Sequence, residues 1–592
     1  MIRATSRGWF PADESVNVMI KVAIEPQNPS ANLVSYDQAY HAFAWEQIEA
    51  TFTWHKTGRL NIVQEAIDRH AADPQKKDHP ALVFEKAETV LSFSFARLQT
   101  LSCKWANLLS AHGLKARERL CILLPPCPEI YLAMLACARL GVIFSPLFTT
   151  LSSDELKERI ADGAPRGILT HPDFIERLPL SAIQAVKTLF LTEGPLPGLP
   201  GREVLVPDGL AGLPDQAETR WLPKDAPLYL IYTSGSTGPP KGVVHAHYDM
   251  VGLLATAQFA LDLRRDSVVW ADCEPAWING TVYGAFAPWL CGVTNIVQGD
   301  PFSASNWYRT LEKHRVSVWY TSPSNIRRLM EAGADLPGRY DLSHLRQICT
   351  VGEKLQPELF FWIREHIRLA AHDNWWMTET GMICLANFPS MAIKPGSMGK
   401  PVPGIAAAVV DEQGNPLPPM SMGELVLKPG WPAMMTAIWK DEKRYQAYFE
   451  NRKWFHTGDM VIVDEQGYYF HQGRMDDLIK VGVKLVGPYD IERVLCRHPA
   501  VHEAAAIAWS AVPGKPLIKA YVTCHPGIIP STRLNQEIMD FVKTGLASDI
   551  NIQELVFIEN IPKTLSGKIL RRVLRAMDMG LPVGDPQKLK DD

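Results

Sequence analysis

From about residue 80 the chain alternates two hydrophobic periods. Short unbroken apolar runs at 81–84, 120–124, 141–144, 167–169, 228–232 and 267–270 have the length and composition of buried strands. Between them, apolar residues recur at three- and four-residue spacing over 95–111, 128–140 and 307–313, the period of helices with one packed face. Strands alternating with helices predict an α/β architecture with largely parallel sheets. Short strand patterns broken by Pro and Gly from 396 to 427 predict a small β subdomain. The period restarts after Gly473-Arg474-Met475-Asp476-Asp477. A helix over 488–497, strands over 504–509 and 518–524, and a helix over 533–544 then make a compact α+β unit. The expected division is an extension over 1–80 packed on the main domain, a large domain of αβ-layered sheets over 81–474, and a small C-terminal domain over 475–592. Within the extension, 61–72 has helical spacing, and Trp9, Phe10, Tyr36, Tyr40, Phe43 and Trp45 read as a belt over the main domain.

Composition adds mainly exclusions. The 592 residues are 46% hydrophobic and 21% charged, with a formal net charge of −4. Bulk charge therefore gives no case for nucleic acid or an anionic membrane. A core of this size needs no disulfide or structural metal. Ten cysteines without paired or zinc-type spacing read as reduced thiols of a cytoplasmic protein. The uncharged stretch 275–299 is long enough to cross a bilayer, but its four glycines, Pro288, Asn279 and Asn295 make it a buried helix–loop–strand passage. Near the N-terminus, 18–24 is apolar but short and interrupted by Lys21, unlike a secretory segment; Arg3, Thr5, Ser6 and Arg7 are faintly like a transit peptide. Nothing in the pattern bears on oligomeric state.

The strand expected at 228–232 runs into Thr233-Ser234-Gly235-Ser236-Thr237-Gly238-Pro239-Pro240-Lys241-Gly242. Glycines let successive backbone N–H groups turn inward without a Cβ clash, and such a concave row of amides binds anions. Ser and Thr hydroxyls add donors, and Lys241 adds a point charge. The chemistry is that of a polyphosphate cradle. It is not the Walker pattern, because Pro240 stands where the second glycine must be. A flexible Ser/Gly linker is the competing reading, opposed by the strand before and the Pro-Pro-Lys-Gly after.

This run resembles the signature of the adenylate-forming, AMP-binding superfamily, which includes acyl-CoA synthetases, peptide-synthetase adenylation domains and firefly-type luciferases. Further matches follow in order. Asn374-Trp375-Trp376-Met377-Thr378-Glu379-Thr380-Gly381 resembles the second nucleotide motif, which implies that Thr378 contacts the α-phosphate and Glu379 holds Mg²⁺. Val351-Gly352-Glu353-Lys354 is similar to the adenine-side loop, and Trp454-Phe455-His456-Thr457-Gly458-Asp459 to the segment whose aspartate clamps the ribose diol. By the same resemblance Arg474 contacts the nucleotide and Asp476 is the hinge about which a mobile C-terminal domain rotates. Lys568, in Pro562-Lys563-Thr564-Leu565-Ser566-Gly567-Lys568, then bridges the carboxylate and the ATP phosphates. The implied reaction has two steps. A carboxylate attacks the α-phosphate of ATP, giving acyl-adenylate and diphosphate. After rotation, the thiol of CoA displaces AMP. Lys568 is by resemblance also a target for acetylation, which would remove its charge.

Ser35-Tyr36-Asp37-Gln38-Ala39-Tyr40, the 60–70 segment and the pair Trp375-Trp376 resemble the acetyl-CoA synthetase branch. There the second tryptophan limits the acyl pocket to two or three carbons, a role implied for Trp376, with ordinary core packing as the alternative. Trp277, Ile278, Asn279 and Val351 fall where the other pocket walls are expected, with Asn279 replacing an expected threonine. One segment departs from the family. In Gly482-Val483-Lys484-Leu485, Val483 stands where a glycine lets the backbone approach the CoA arm, and Leu485 where an arginine is expected. Gly482 and Lys484 would compensate only through a one-residue shift. Three functions are thus in competition: a short-chain acyl-CoA synthetase, an acyl-adenylate-forming ligase with a weak or different thiol acceptor, and a catalytically weak binding or regulatory paralogue.

Overall fold

The computed structural model describes residues 23–25, 31–194, 202–233, 240–449, 453–477, 479–481, 484–486, 488–509, 517–546, 551–563 and 569–578. Two large sheets form the main body. One runs, in spatial order, Ala437–Ile438, Lys241–Ala246, Pro227–Thr233, Ile143–Pro146, Arg119–Leu123, Gly167–Thr170, Thr188–Leu191 and Glu203–Leu205. The other runs Lys400–Pro401, Leu385–Ala386, Ala371–Trp375, Gln347–Thr350, Val318–Thr321, Val268–Ala271, Thr294–Gln298, Pro80–Lys86 and Thr89–Ser94. The central strands of both pair in parallel, while Lys241–Ala246 and Leu385–Ala386 pair antiparallel with both of their neighbours. Arg119–Leu123, Gly167–Thr170 and Val318–Thr321 are buried almost throughout, as parallel strands covered on both faces require. One apolar cluster joins residues of both sheets, such as Tyr229 and Phe144 with Val269 and Tyr320. Helix Met250–Phe259 is buried from Met250 to Ala257 within it and so carries no polar face.

Local signals account for the element ends. Helix Phe95–Ala111 starts where the Ser94 side chain accepts from the Arg97 N–H. Helix Pro128–Leu140 has proline at its first position and ends at Gly141, whose φ of 71° few side chains tolerate. The 61–72 segment is helical but irregular, a π-turn over Gln64–Asp68 followed by Arg69–Ala71. The 275–299 passage is Ile278–Thr281, a π-turn Val282–Phe286, Ala287–Cys291 and strand Thr294–Gln298, all inside the fold. No helix among the described residues is long and apolar enough to cross a membrane. All ten cysteines are free.

The β subdomain needs correction. Lys400–Pro401 closes the nine-stranded sheet. The separate antiparallel sheet is Ala407–Val410, Met422–Leu427, Phe455–Val463 and Tyr469–Arg474. Strand patterning does not reveal partners, and the Met422–Leu427 strand finds its second neighbour more than thirty residues on. The aromatic belt does pack on the main body: Tyr36 and Tyr40 donate to the carbonyls of Pro401 and Ile405 at 2.9 and 3.0 Å. Trp9 and Phe10 lie outside the described residues. After Arg474, strands Val501–Trp509, Leu517–Cys524 and Ile552–Phe557 form a sheet with helices Pro488–Leu495, Thr532–Gly545 and Arg571–Asp578. Their apolar residues make separate clusters around Ile491, Val522 and Ile538, and around Tyr521 and Leu574.

Candidate active site

Strands Pro227–Thr233 and Lys241–Ala246 are antiparallel partners, and their register ends on the pair Thr233 and Lys241. The two ends of the Ser/Gly-rich run are thereby set side by side. Ser234, Gly235, Ser236, Thr237 and Gly238 themselves lie outside the described residues. Among the described residues the buried Thr233 Oγ1 has no hydrogen-bond partner. Across from it, the Lys241 ammonium pairs with the Glu379 carboxylate. The Tyr448 hydroxyl donates to Glu379 Oε1 at 2.8 Å and accepts from Lys241. Burial alone would raise the Glu379 pKa, but the Lys241 charge and the bonds from Lys241 and Tyr448 hold it below the ordinary value.

Glu379 sits on a tight turn fixed from several sides. His245 Nε2 donates to the Thr378 carbonyl at 2.7 Å, and His245 Nδ1 faces Asp249 Oδ2 at 2.7 Å. Both His245 and Asp249 are fully buried. The Met435 N–H donates to the Glu379 carbonyl at 3.0 Å and the Trp431 indole to that of Thr380 at 2.8 Å. Gly381, at φ 69°, closes the turn; a Cβ there would lie 2.1 Å from the Ala433 carbonyl oxygen.

The strand leading into this turn, Ala371–Trp375, is buried at every position although its middle is His-Asp-Asn. Each of these polar groups has a partner. Asp373 accepts from the Thr350 hydroxyl at 2.7 Å, His372 meets the Asn387 carbonyl at 2.8 Å, and Asn374 accepts from the Tyr320 hydroxyl at 2.7 Å. Burial pushes the Asp373 pKa up to about 8.

The two tryptophans point to different duties. Trp375 Nε1 donates to Asp459 Oδ2 at 2.8 Å, while Arg474 donates to Asp459 Oδ1 at 2.9 Å. Burial would raise the Asp459 pKa; the Arg474 charge, His471 and Trp375 outweigh it and hold the carboxyl well below its usual range. An ionised, oriented carboxylate results, fit to accept from a diol. Trp376 Nε1 instead donates to the Tyr320 hydroxyl at 3.0 Å, and its ring meets Tyr283 edge-on at 5.2 Å. Gly352, at φ 92°, lies against the Trp277 ring, where a Cβ would stand 3.1 Å from the indole. This contact joins the expected pocket wall to the expected adenine-side loop. Ile278, Asn279 and Val351 are buried beside them. Among the described residues Glu353 Oε1 has no hydrogen-bond partner; burial raises its pKa, opposed by Ser324 and the charge of Lys563. Lys354 is half-buried.

Lys568, Gly482 and Val483 lie outside the described residues. Lys563 and Ile569, on either side of the Lys568 segment, pair in an antiparallel bridge, and Val481 pairs with Lys484. Asp476 falls in the turn Met475–Asp477, directly after the last strand of the antiparallel sheet. Sequence reasoning missed Tyr448, for which spacing gives no cue. It also missed His245 and Asp249, whose four-residue separation ahead of an apolar helix was a readable signal.

The AMP-binding enzyme family matches residues 68–439, and the AMP-binding enzyme C-terminal domain matches residues 490–568. The chain is 40% identical over 571 residues to an acetyl-coenzyme A synthetase of Bacillus subtilis, covering 95% of this chain and 98% of that one. It is 34% identical to an acetyl-coenzyme A synthetase of Methanothrix soehngenii, covering 90% and 84%. Among solved structures it is similar to a Brucella canis acyl-CoA synthetase, at 27% identity and a TM-score of 0.71 over 92% of this chain and 99% of that one. An anthranilate CoA ligase bound to anthranoyl-AMP superimposes with a TM-score of 0.78 at 27% identity, over 88% and 98%.

Proposed function

The chain belongs to the AMP-binding enzyme family, and from that premise we propose that it is an acid–thiol ligase joining a small carboxylate such as acetate to CoA at the expense of ATP, through an acyl-adenylate. One stretch carries the reading. Asn374 to Glu379 reaches the Asp459 carboxylate through Trp375 and the Lys241 ammonium through Glu379. A diol acceptor and a phosphate-side cation therefore stand at the two ends of the five residues from Trp375 to Glu379, the spread of charges a nucleotide needs.

Lys241 supplies positive charge where diphosphate leaves, and the Thr378 turn, pinned by His245, presents donors to the α-phosphate without reorganising. The donor set suits Mg²⁺ only in a particular way. Among the described residues no cluster of three metal-ligating side chains exists. Glu379 is a lone carboxylate, which fits an ion that takes one or two carboxylates and draws its other ligands from substrate phosphates and water. Bound there, Mg²⁺ would neutralise phosphate charge, and Lys241 would be released from Glu379 toward the same phosphates. Trp376, anchored through Tyr320, and Trp277 bound the acyl end and keep it short. Lys568 is assigned the bridging charge of the first half-reaction; its acetylation would remove that charge. Asp476 is assigned the pivot between the half-reactions. Reduced cysteines agree with a cytoplasmic setting.

Val483 and Leu485 favour a second reading, adenylation with poor transfer to CoA. Acid-dependent ATP–diphosphate exchange, run beside CoA thioester formation, separates the two. Absence of exchange with every small acid would overturn both. Exchange without thioester, restored by Val483→Gly, would favour the second.

A further inference from the structure

Asn279 is 1% exposed, yet among the described residues neither its amide nitrogen nor its amide oxygen has an N or O hydrogen-bond partner. The Cys273 thiol lies against the amide and offers it one weak hydrogen bond. Buried amides are nearly always paired by strong partners, so one left with at most a single weak thiol partner calls for an explanation. Its place is rigid. The short helix Ile278–Thr281 is pressed onto the preceding loop: a Cβ on Gly280 would lie 2.2 Å from the Glu274 carbonyl oxygen, and the Thr281 hydroxyl donates to the Pro275 carbonyl at 2.6 Å. Asn279 and Tyr283 are four residues apart and share a helix face. Tyr283 meets the Trp376 ring, so that face is the one turned toward the proposed acyl pocket.

We propose that the acid this protein activates is a two- or three-carbon carboxylate bearing a hydroxyl group, which Asn279 holds. This rests on the reading of the Trp376 pocket as the acyl site. A hydroxyl both donates and accepts, so it satisfies Oδ1 and Nδ2 together. An unsubstituted acyl chain satisfies neither, and an oxo group only accepts, leaving Oδ1 unmade. Size is set by Trp376 and Trp277; Asn279 adds a polar requirement that a wall of the same size without an amide would lack. A site built to hydrogen-bond a substrate hydroxyl discriminates against the analogue lacking it more strongly than an apolar pocket discriminates by one methylene.

The test is ATP–diphosphate exchange by the full-length protein with acetate, propionate, glycolate and lactate. Expected is a kcat/KM for glycolate or lactate at least about tenfold above that for acetate and propionate, with Asn279→Val and Asn279→Ala each bringing that ratio close to one. Removing so weakly partnered an amide also predicts a higher melting temperature for Asn279→Val without substrate; a lower one would show that the amide already has a strong partner and would count against the proposal. Best exchange with acetate or propionate, at a ratio unmoved by either variant, would overturn the assignment and leave the ligase reading standing. A hydroxy-acid preference that survives both variants would overturn the role of Asn279. Exchange with none of the four acids would overturn the ligase reading and the assignment together.

Discussion

At the scale of single residues, the candidate site turns on how a buried charge is kept useful. Glu379 is held ionised by Lys241 and Tyr448, and its partners are groups that can turn to a phosphate. Glu379→Gln is expected to lower ATP–diphosphate exchange by about 100-fold or more, measured at saturating acid. Tyr448→Phe removes one bridging hydroxyl, worth about 1 kcal/mol; the expected loss is five- to tenfold in kcat/KM for ATP, with the melting curve little changed. Lys241 was legible in the sequence because a charge closing a Gly-, Ser- and Thr-rich run is chemically conspicuous, whereas Glu379 was singled out only through the resemblance of the 374–381 segment to a nucleotide motif. Tyr448 was not legible, since it reaches the pair across 207 and 69 residues of chain. The different contacts of Trp375 and Trp376 were not legible: the resemblance gave the pair a pocket role only as an expectation, and only the fold shows that Trp375 braces Asp459.

At the scale of elements, the turn Thr378–Thr380 takes its shape from neighbours more than from its own sequence. The His245–Asp249 pair holds it from below. Asp249→Ala leaves His245 Nδ1 buried without its partner, and a loss of about 1–3 kcal/mol in unfolding free energy is expected, read by urea denaturation. Asp272, which follows strand Val268–Ala271, offers a pH test. It accepts from the Trp319 indole at 2.8 Å and from Asn325 at 3.2 Å, yet burial raises its pKa to about 7. The folded state therefore binds more protons than the unfolded one between pH about 4 and 7. Its contribution to stability is fully present below that window and is lost as pH rises through it, by up to about 1.4 kcal/mol per pH unit. Asp272→Asn should flatten the fall in stability between pH 5 and 7, in denaturant melts at the two pH values. Helices Phe95–Ala111 and Pro128–Leu140 were legible because cap and period agree. Strand Ala371–Trp375 was not, because its polar centre is satisfied by Thr350, Tyr320 and Asn387, which only the folded chain brings near.

At the scale of the whole molecule, the large apolar cluster runs as far as Phe470, and separate clusters begin with Ile479 and Ala505. A chain ended after Arg474 is expected to keep a cooperative melt by circular dichroism while losing exchange, because Lys568 goes with the C-terminal part. The alternation of strand and helix foretold the parallel sheets; it could not foretell that Lys400–Pro401 would join one of them, since partners are chosen by long-range pairing. The strand pair that ends on Thr233 and Lys241 carries a further consequence. The backbone between them is bracketed by an in-register ladder, and both flanking strands belong to a sheet whose core extends far beyond the loop. On the proposed reading of this run as a phosphate cradle, a protease cut inside 234–239 is expected to leave two fragments that stay docked and fold as one body while nucleotide is no longer held, so folding and catalysis would part company at a single severed peptide bond.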